Sequence, residues 1–201
     1  NSTVSGVGYN ISKALTVLGN RVRFLSIIGK DPAGEIVRQA LARDGLEETY
    51  IRSLVEKTAH SAILYEPSGR RAIHVDLKDI QETVFPETLF SEAIKDVSLA
   101  VLCNINFSRP FLSSAKQLGI PIASDVHAVS DLRDAYNAEF MKNADVLFMS
   151  HEKLPCPPEE WVKEVQRCYQ TPIIVIGLGD QGALLAVKAE NRLTRVPAVQ
   201  T

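Results

Sequence analysis

Short apolar runs alternate along the chain with stretches whose apolar residues recur at helical spacing. The runs VRFLSIIG (22–29), LAVLCNI (99–105), IPIASDV (120–126), DVLFMS (145–150) and PIIVIGL (172–178) are rich in β-branched and aliphatic residues and predict strands. Continuous apolar runs of this length fit strands buried on both faces, as in a parallel sheet. Between them, Asp31 and Pro32 open a predicted helix that Gly45 closes. Ser108 with Pro110 begins another that stops at Gly119, and Ser130 or Asp131 can cap LRDAYNAEFMKNA. The pair Pro157–Pro158 opens EEWVKEVQRCY. Strands alternating with helices read as βαβ units. Two segments break the alternation. TAHSAILYEPSGRRAIHVDL (58–77) predicts a β-hairpin about the turn EPSG, placed as a lid, and IGLGDQGALLAV predicts strand, glycine turn and strand.

Composition narrows the class without naming a chemistry. The 201 residues are 45% hydrophobic and 23% charged, with a formal net charge of −2. That describes one globular domain or a domain with an appendage within 1–201, large enough to bury a core without a staple. The near-neutral charge argues against a nucleic-acid partner. No apolar run approaches the roughly 18 residues that a membrane span needs, and no leader pattern is visible. Cys103, Cys156 and Cys168 form no C-x-x-C pair, so free thiols in a reducing, cytoplasmic setting are expected. His60, His74, His127 and His151 lack metal-ligand spacing and read as surface or hydrogen-bonded side chains. Trp161 reads as a packing residue on its helix.

The opening SGVGYN carries the first chemical candidates. A dinucleotide-binding reading fails, because Ile11 stands where the third glycine belongs and no apolar strand precedes the loop. A Walker A loop fails for want of G-K-[ST]. What remains is a glycine loop leading into NISKALTVLG, with Asn10 near the helix N-terminus. Asn10 there is either a cap or a contact to a polar ligand.

The longer composite is more specific. Gly6, Gly8, Asn10, Leu18, Gly19, Gly29, Asp31 and Gly34 form a pattern that resembles the N-terminal signature of the ribokinase-like (PfkB-type) carbohydrate kinases. The hairpin EPSGRRAI resembles that family's lid, NADVLFMSHEKL its strand toward the nucleotide phosphates, and IIVIGLGDQGALL its T-L-G-x-x-G nucleotide loop. The resemblance implies a three-layer α/β fold: a mostly parallel central sheet flanked by helices, with the 58–77 hairpin as lid.

It also implies ATP-dependent phosphorylation of a hydroxymethyl group on a sugar or nucleoside, with Mg²⁺ across the phosphates. Gly6, Gly8 and Asn10 become substrate candidates. Asn106, and more weakly Asn104, joins them at the end of VLCNIN, where Asn106 reads equally as a helix cap. Ser150, Gly177, Gly179 and Gly182 become nucleotide candidates, and Glu152 the magnesium candidate. Asp31 reads as a helix cap, and Asp125, at the C-terminal end of its strand, reads first as structural and second as a contact for metal-bound water. Arg70 and Arg71 on the lid read first as a solvated turn.

Departures from the family pattern also stand out. Ser5 replaces one of the paired glycines, Ser150 the usual Asn, and Gly177 the usual Thr, while Glu152 comes one residue early. The family's catalytic base lies in a G-A-G-D motif that these residues do not contain, so the base is expected beyond Thr201. A substrate-binding Asp is expected before Asn1. The residues as given are therefore expected to bind substrate weakly and transfer little phosphate. The competing function is a non-catalytic sugar- or nucleoside-binding or regulatory member of the same fold. Family members often pair through their lids, which makes a homodimer an option that the hairpin alone does not establish.

Overall fold

The computed structural model describes residues 3–66 and 71–199. They fall into two compact units, Asn1–Lys95 and Asp96–Thr201.

In the first unit, α1 (Val7–Val17) leads to β1 (Leu25–Gly29), then α2 (Pro32–Arg43) and β2 (Tyr50–Val55). The strands β1 and β2 form a two-stranded parallel sheet. Strand β2 was not expected: YIRSLV mixes arginine with apolar residues, and its pairing partner rather than its own pattern makes it a strand. Tyr9, Ile28, Leu41, Leu46 and Ile51 form the core of this unit. Asp44, at the end of α2, ties the two helices together. Its carboxylate accepts from the Tyr9 hydroxyl, from Lys13 Nζ at 3.1 Å and from Arg43 Nε at 3.2 Å. These donors, Tyr9 first, hold the Asp44 carboxyl well below the usual carboxylate range.

The hairpin β3 (His60–Tyr65) and β4 (Arg71–Asp76) pairs antiparallel in the register His60↔Asp76 to Tyr65↔Arg71. Every described side chain on it is exposed, Leu64 at 60% and Val75 at 59% among them. The turn expected at Pro67–Gly69 and the side chains of Arg70 and Arg71 lie outside the described residues. A short helix, α3 (Glu87–Ala93), completes the unit.

The second unit is built on a six-stranded mixed sheet. In chain order its elements are β5 (Ala100–Val101), α4 (Pro110–Gln117), β6 (Ile122–Asp125), α5 (Ala138–Asn143), β7 (Val146–Ser150), α6 (Pro158–Tyr169), β8 (Ile173–Gly177), β9 (Ala183–Val187) and β10 (Arg192–Val196). The spatial order is β10-β9-β8-β7-β6-β5; β5 to β8 run parallel, and β9 and β10 antiparallel.

Four expectations are corrected here. Strands β7, β8 and β9 bury every second residue, with Leu147, Met149, Ile174, Ile176, Leu184 and Ala186 inside. The opposite row is half-covered, Phe148 being 39% exposed, so these strands are not sealed on both faces. On the buried side Trp161 packs as expected, and its Nε1–H donates to Met149 Sδ at 3.2 Å.

The helix read from 131 onward shrinks to α5. Asp131 and Asp134 accept the N–H groups of Arg133 (2.8 Å) and Tyr136 (3.2 Å), local turns that compete with helical bonding. Strand β5 is short for a similar reason. Leu102 N–H still reaches Ala123 O, but Ile105 N–H then folds onto Cys103 O, and Ser108 Oγ–H donates to both Cys103 O and Ile105 O. Ser108 therefore does not cap α4, whose cap position is Arg109.

Candidate functional site

The G-x-D-x-x-G stretch forms a closed knot. Gly29 ends β1, Asp31 caps α2, and Thr58 follows β2. Thr58 Oγ1–H donates to Asp31 Oδ1 at 2.6 Å, and Thr58 N–H to Asp31 Oδ2 at 3.1 Å. Gly34 N–H donates to Asp31 Oδ1 at 3.1 Å, and Gly29 N–H to Thr58 Oγ1 at 2.9 Å. A Cβ on Gly29 would lie 2.3 Å from Thr58 N, and one on Gly34 2.3 Å from Gly29 O. The Thr58 hydroxyl, aided by the backbone N–H groups and opposed by partial burial, lowers the Asp31 carboxyl to about 2. Asp31 acts as the cap it was read to be. Thr58, which completes the knot, carried no signal in the sequence.

The start of α1 differs from the expected loop. Gly6, at φ +142, is the cap residue, and its carbonyl accepts Asn10 N–H at 2.9 Å. Only glycine adopts that backbone readily. Gly8 and Asn10 therefore lie inside the first turn of α1, and Asn10 is not its cap. Asn10 is exposed, and its Nδ2 donates to Ser5 Oγ at 3.3 Å. The three substrate candidates of this unit, Gly6, Gly8 and Asn10, thus sit together at one helix start.

In the second unit the parallel strands end along one edge of the sheet, the edge at which open α/β sheets hold ligands. Asp125, Ser150 and Gly177 are the last residues of β6, β7 and β8, and Asn106 lies beyond the end of β5. Beyond β5, Asn106 opens a short 3-10 turn and accepts from Arg109 Nη2 at 3.3 Å. Arg109 also donates to Tyr136 O at 2.9 Å and Glu139 Oε2 at 3.1 Å, and stacks over the Tyr136 and Phe140 rings. Asn106 therefore does not cap α4. Asn104 is tied down separately: its Nδ2 donates to Asn137 Oδ1 at 2.9 Å, and its carbonyl accepts from the Tyr136 hydroxyl at 3.0 Å. Asp125 accepts His127 N–H at 2.8 Å. The neighbouring Cys103 thiol is pushed up to about 11 by burial and by the Asp125 charge, so it stays protonated and inert.

The nucleotide candidates converge at the ends of β7 and β8, where Ser150 pairs with Gly177 and Gly177 with Ala183. Ser150 caps the next turn by accepting Glu152 N–H at 3.3 Å, and leaves the Glu152 side chain exposed. Past Gly177, the turn closes with Leu178 N–H on Gly182 O at 2.8 Å and Gly182 N–H on Gly179 O at 3.1 Å. Gly182, at φ +87, is jammed: a Cβ there would lie 2.0 Å from Val196 O. Gly177 is not, since a Cβ there would meet only Met149 O at 3.7 Å. His151, read only as a surface or hydrogen-bonded histidine, joins this group through Nδ1–H on Gly177 O at 2.9 Å.

Among the described residues, no group of three or more His, Cys, Asp or Glu could hold a metal. A magnesium ion asks less of a protein, taking one or two carboxylates beside substrate phosphates and water. The exposed Glu152 fits that donor set. No helix among the described residues is long and apolar enough to cross a membrane.

Comparison with known proteins bears on the same residues. Acarbose 7(IV)-phosphotransferase of Actinoplanes sp. (strain ATCC 31044 / CBS 674.73 / SE50/110) is 23% identical over 193 residues, covering 96% of this chain and 64% of that protein. A microbiome-derived acarbose kinase superposes with a TM-score of 0.85 at 22% identity, over 99% of this chain and 66% of the other. The nucleoside kinase of Burkholderia thailandensis, solved with inosine, superposes with a TM-score of 0.75 at 17% identity, over 96% of this chain and 63% of the other. The chain thus spans about two thirds of the length of these relatives, and its fold is the ribokinase-like α/β fold. Residues 1–201 match in full the family described as pfkB family carbohydrate kinase, and the chain belongs to that family.

Proposed function

We propose that this protein transfers the γ-phosphoryl group of ATP to a hydroxyl, in particular a hydroxymethyl group, of a sugar or nucleoside. The observation that carries this reading is the gathering of Ser150, His151, Gly177 and Gly179 at the carboxyl edge of the parallel strands, in a chain of the pfkB family. Its relatives point the same way: an acarbose phosphotransferase, a nucleoside kinase with inosine, and a fructokinase from Vibrio cholerae O395 with fructose, ADP and calcium.

In this reading the turn 178–182 brings backbone close to the ATP phosphates, with Ser150, Gly177, Gly179 and Gly182 forming its framework. Glu152 would hold Mg²⁺, which when bound neutralises phosphate charge. Gly6, Gly8 and Asn10 would contact sugar or nucleoside hydroxyls, Asn10 by its side-chain amide, and Asn106 is the substrate contact of the second unit. Residues 1–201 are read as part of one kinase domain acting in the cytoplasm, with the 58–77 hairpin as its lid. The apolar exposure of Ile63, Leu64, Ile73 and Val75 supports a homodimer formed through that hairpin.

Ser150 and Gly177 favour a second reading, a member that binds the same ligands without transfer, because both depart from the family's nucleotide motifs. One experiment separates the two. The full-length protein, with whatever residues flank 1–201, is incubated with Mg·ATP and a panel of sugars and nucleosides, with ADP formation and product mass followed. Phosphoryl transfer to any member of the panel supports the kinase. Ligand binding without transfer supports the second reading, and no binding of nucleotide, sugar or nucleoside overturns both.

A further inference from the structure

The turn between β8 and β9 is held differently at its two ends. At the far end, Gly182 is wedged against the backbone of Val196, Pro197 and Ala198. At the near end the chain runs through Gly177 and the left-handed Gly179, neither of which has a side chain to pack. Nothing in the packing requires glycine at 177, where a Cβ would have ordinary contacts. Instead, a side chain from the neighbouring strand occupies this end. His151 follows directly on Ser150, the residue paired with Gly177. Its Nδ1 lies 2.9 Å from Gly177 O, and its Cε1 lies 3.8 Å from where a Cβ of Gly179 would be. Because a carbonyl only accepts, Nδ1 carries the proton. The backbone that carries the ring is itself held: His151 O accepts Leu154 N–H at 3.2 Å, and Ser150 Oγ caps the same short turn.

We propose that His151 is a positioning residue for nucleotide binding, fixing the near end of the turn 178–182 through its bond to the last carbonyl of β8. The inference rests on the reading of this edge as the nucleotide site.

The test compares the wild type with His151→Ala, His151→Phe and His151→Asn. Asparagine places Nδ2 where histidine has Nδ1, so it keeps the donor; phenylalanine keeps the ring and loses the donor. Two quantities are read: the Kd for Mg·ATP, and amide hydrogen exchange across 178–182 without nucleotide. His151→Ala and His151→Phe are expected to weaken Mg·ATP binding about threefold to tenfold, the effect of one hydrogen bond. Both should speed exchange in the turn, and His151→Asn should restore both quantities. Unchanged affinity in the Ala and Phe variants overturns the inference and leaves the nucleotide reading standing. So does an Asn variant no better than Ala. A wild type that does not bind Mg·ATP overturns the nucleotide reading, and this inference with it.

Discussion

Two glycine-rich turns of this chain, Gly29–Gly34 and Gly177–Gly182, look alike in sequence and are built for different ends. In the first, both glycines are sterically obligatory and the carboxylate between them accepts three bonds from the protein. Asp31 receives the Thr58 hydroxyl and the N–H groups of Thr58 and Gly34, so most of its acceptor capacity is spent within the protein. In the second, only Gly182 is jammed, while Gly177 and Gly179 keep ordinary clearances. Glycine in the first turn lets protein approach protein. At Gly179 the left-handed backbone, φ +63, accounts for it, and at Gly177 neither packing nor a positive φ does.

The largest expected effects break this contrast directly. Gly34→Ala and Gly182→Ala each force a Cβ into backbone, at 2.3 Å and 2.0 Å. Each should cost about 3 kcal/mol or more, at the upper end of overpacking penalties. Gly177→Ala should cost less than about 1 kcal/mol, since the new methyl meets ordinary contacts. Denaturant midpoints of the three variants check the ordering, and a Gly177→Ala as damaging as Gly34→Ala would refute it.

Thr58→Val comes next. It leaves the buried Gly29 N–H without its acceptor, at a cost of about 1–3 kcal/mol. It also removes the main donor to Asp31, and that part of the effect depends on pH. A carboxyl depressed in the folded state contributes stability that is fully present above its unfolded value of 3.8 and is lost as pH falls toward about 2. Stability measured from pH 6 down to pH 2 should therefore fall less steeply in Thr58→Val than in the wild type. Parallel profiles would remove Asp31 from the knot's energetics.

The smallest effect sharpens the other side of the comparison. Gly177→Thr restores the hydroxyl that the nucleotide motif usually carries at a position with space for a side chain. It should fold normally and bind Mg·ATP about threefold to tenfold more tightly. Weaker binding, measured by calorimetry, would mean that the turn is tuned to the glycine.

How legible each part was depends on the range of the forces that made it. Helix α2 was read correctly because Asp31, Pro32 and Gly45 act on their own neighbours. Strands β7 and β8 were legible because long apolar runs suit a sheet interior. Strands β2 and β10 were not, because YIRSLV and RLTRV become strands through partners elsewhere in the chain. Asn10 was misplaced by one helical turn because Gly6, rather than a polar side chain, caps α1. Thr58 escaped, and the partner of the hydrogen-bonded His151 did too, because each bond spans a fold contact, 27 residues for Thr58 and Asp31, and 26 for His151 and Gly177.

The sequence by itself determined the alternation of strands and helices, the caps and glycine turns, and the composite pattern that marks the pfkB family. Those features are local, or repeat in a fixed order, so they are written where they act. Only the tertiary structure decided which glycines are packed shut and which stand open, and which side chain holds the turn after β8. Clearance between a Cβ and a distant backbone is set by how strands register and chains cross, which no single stretch of residues contains.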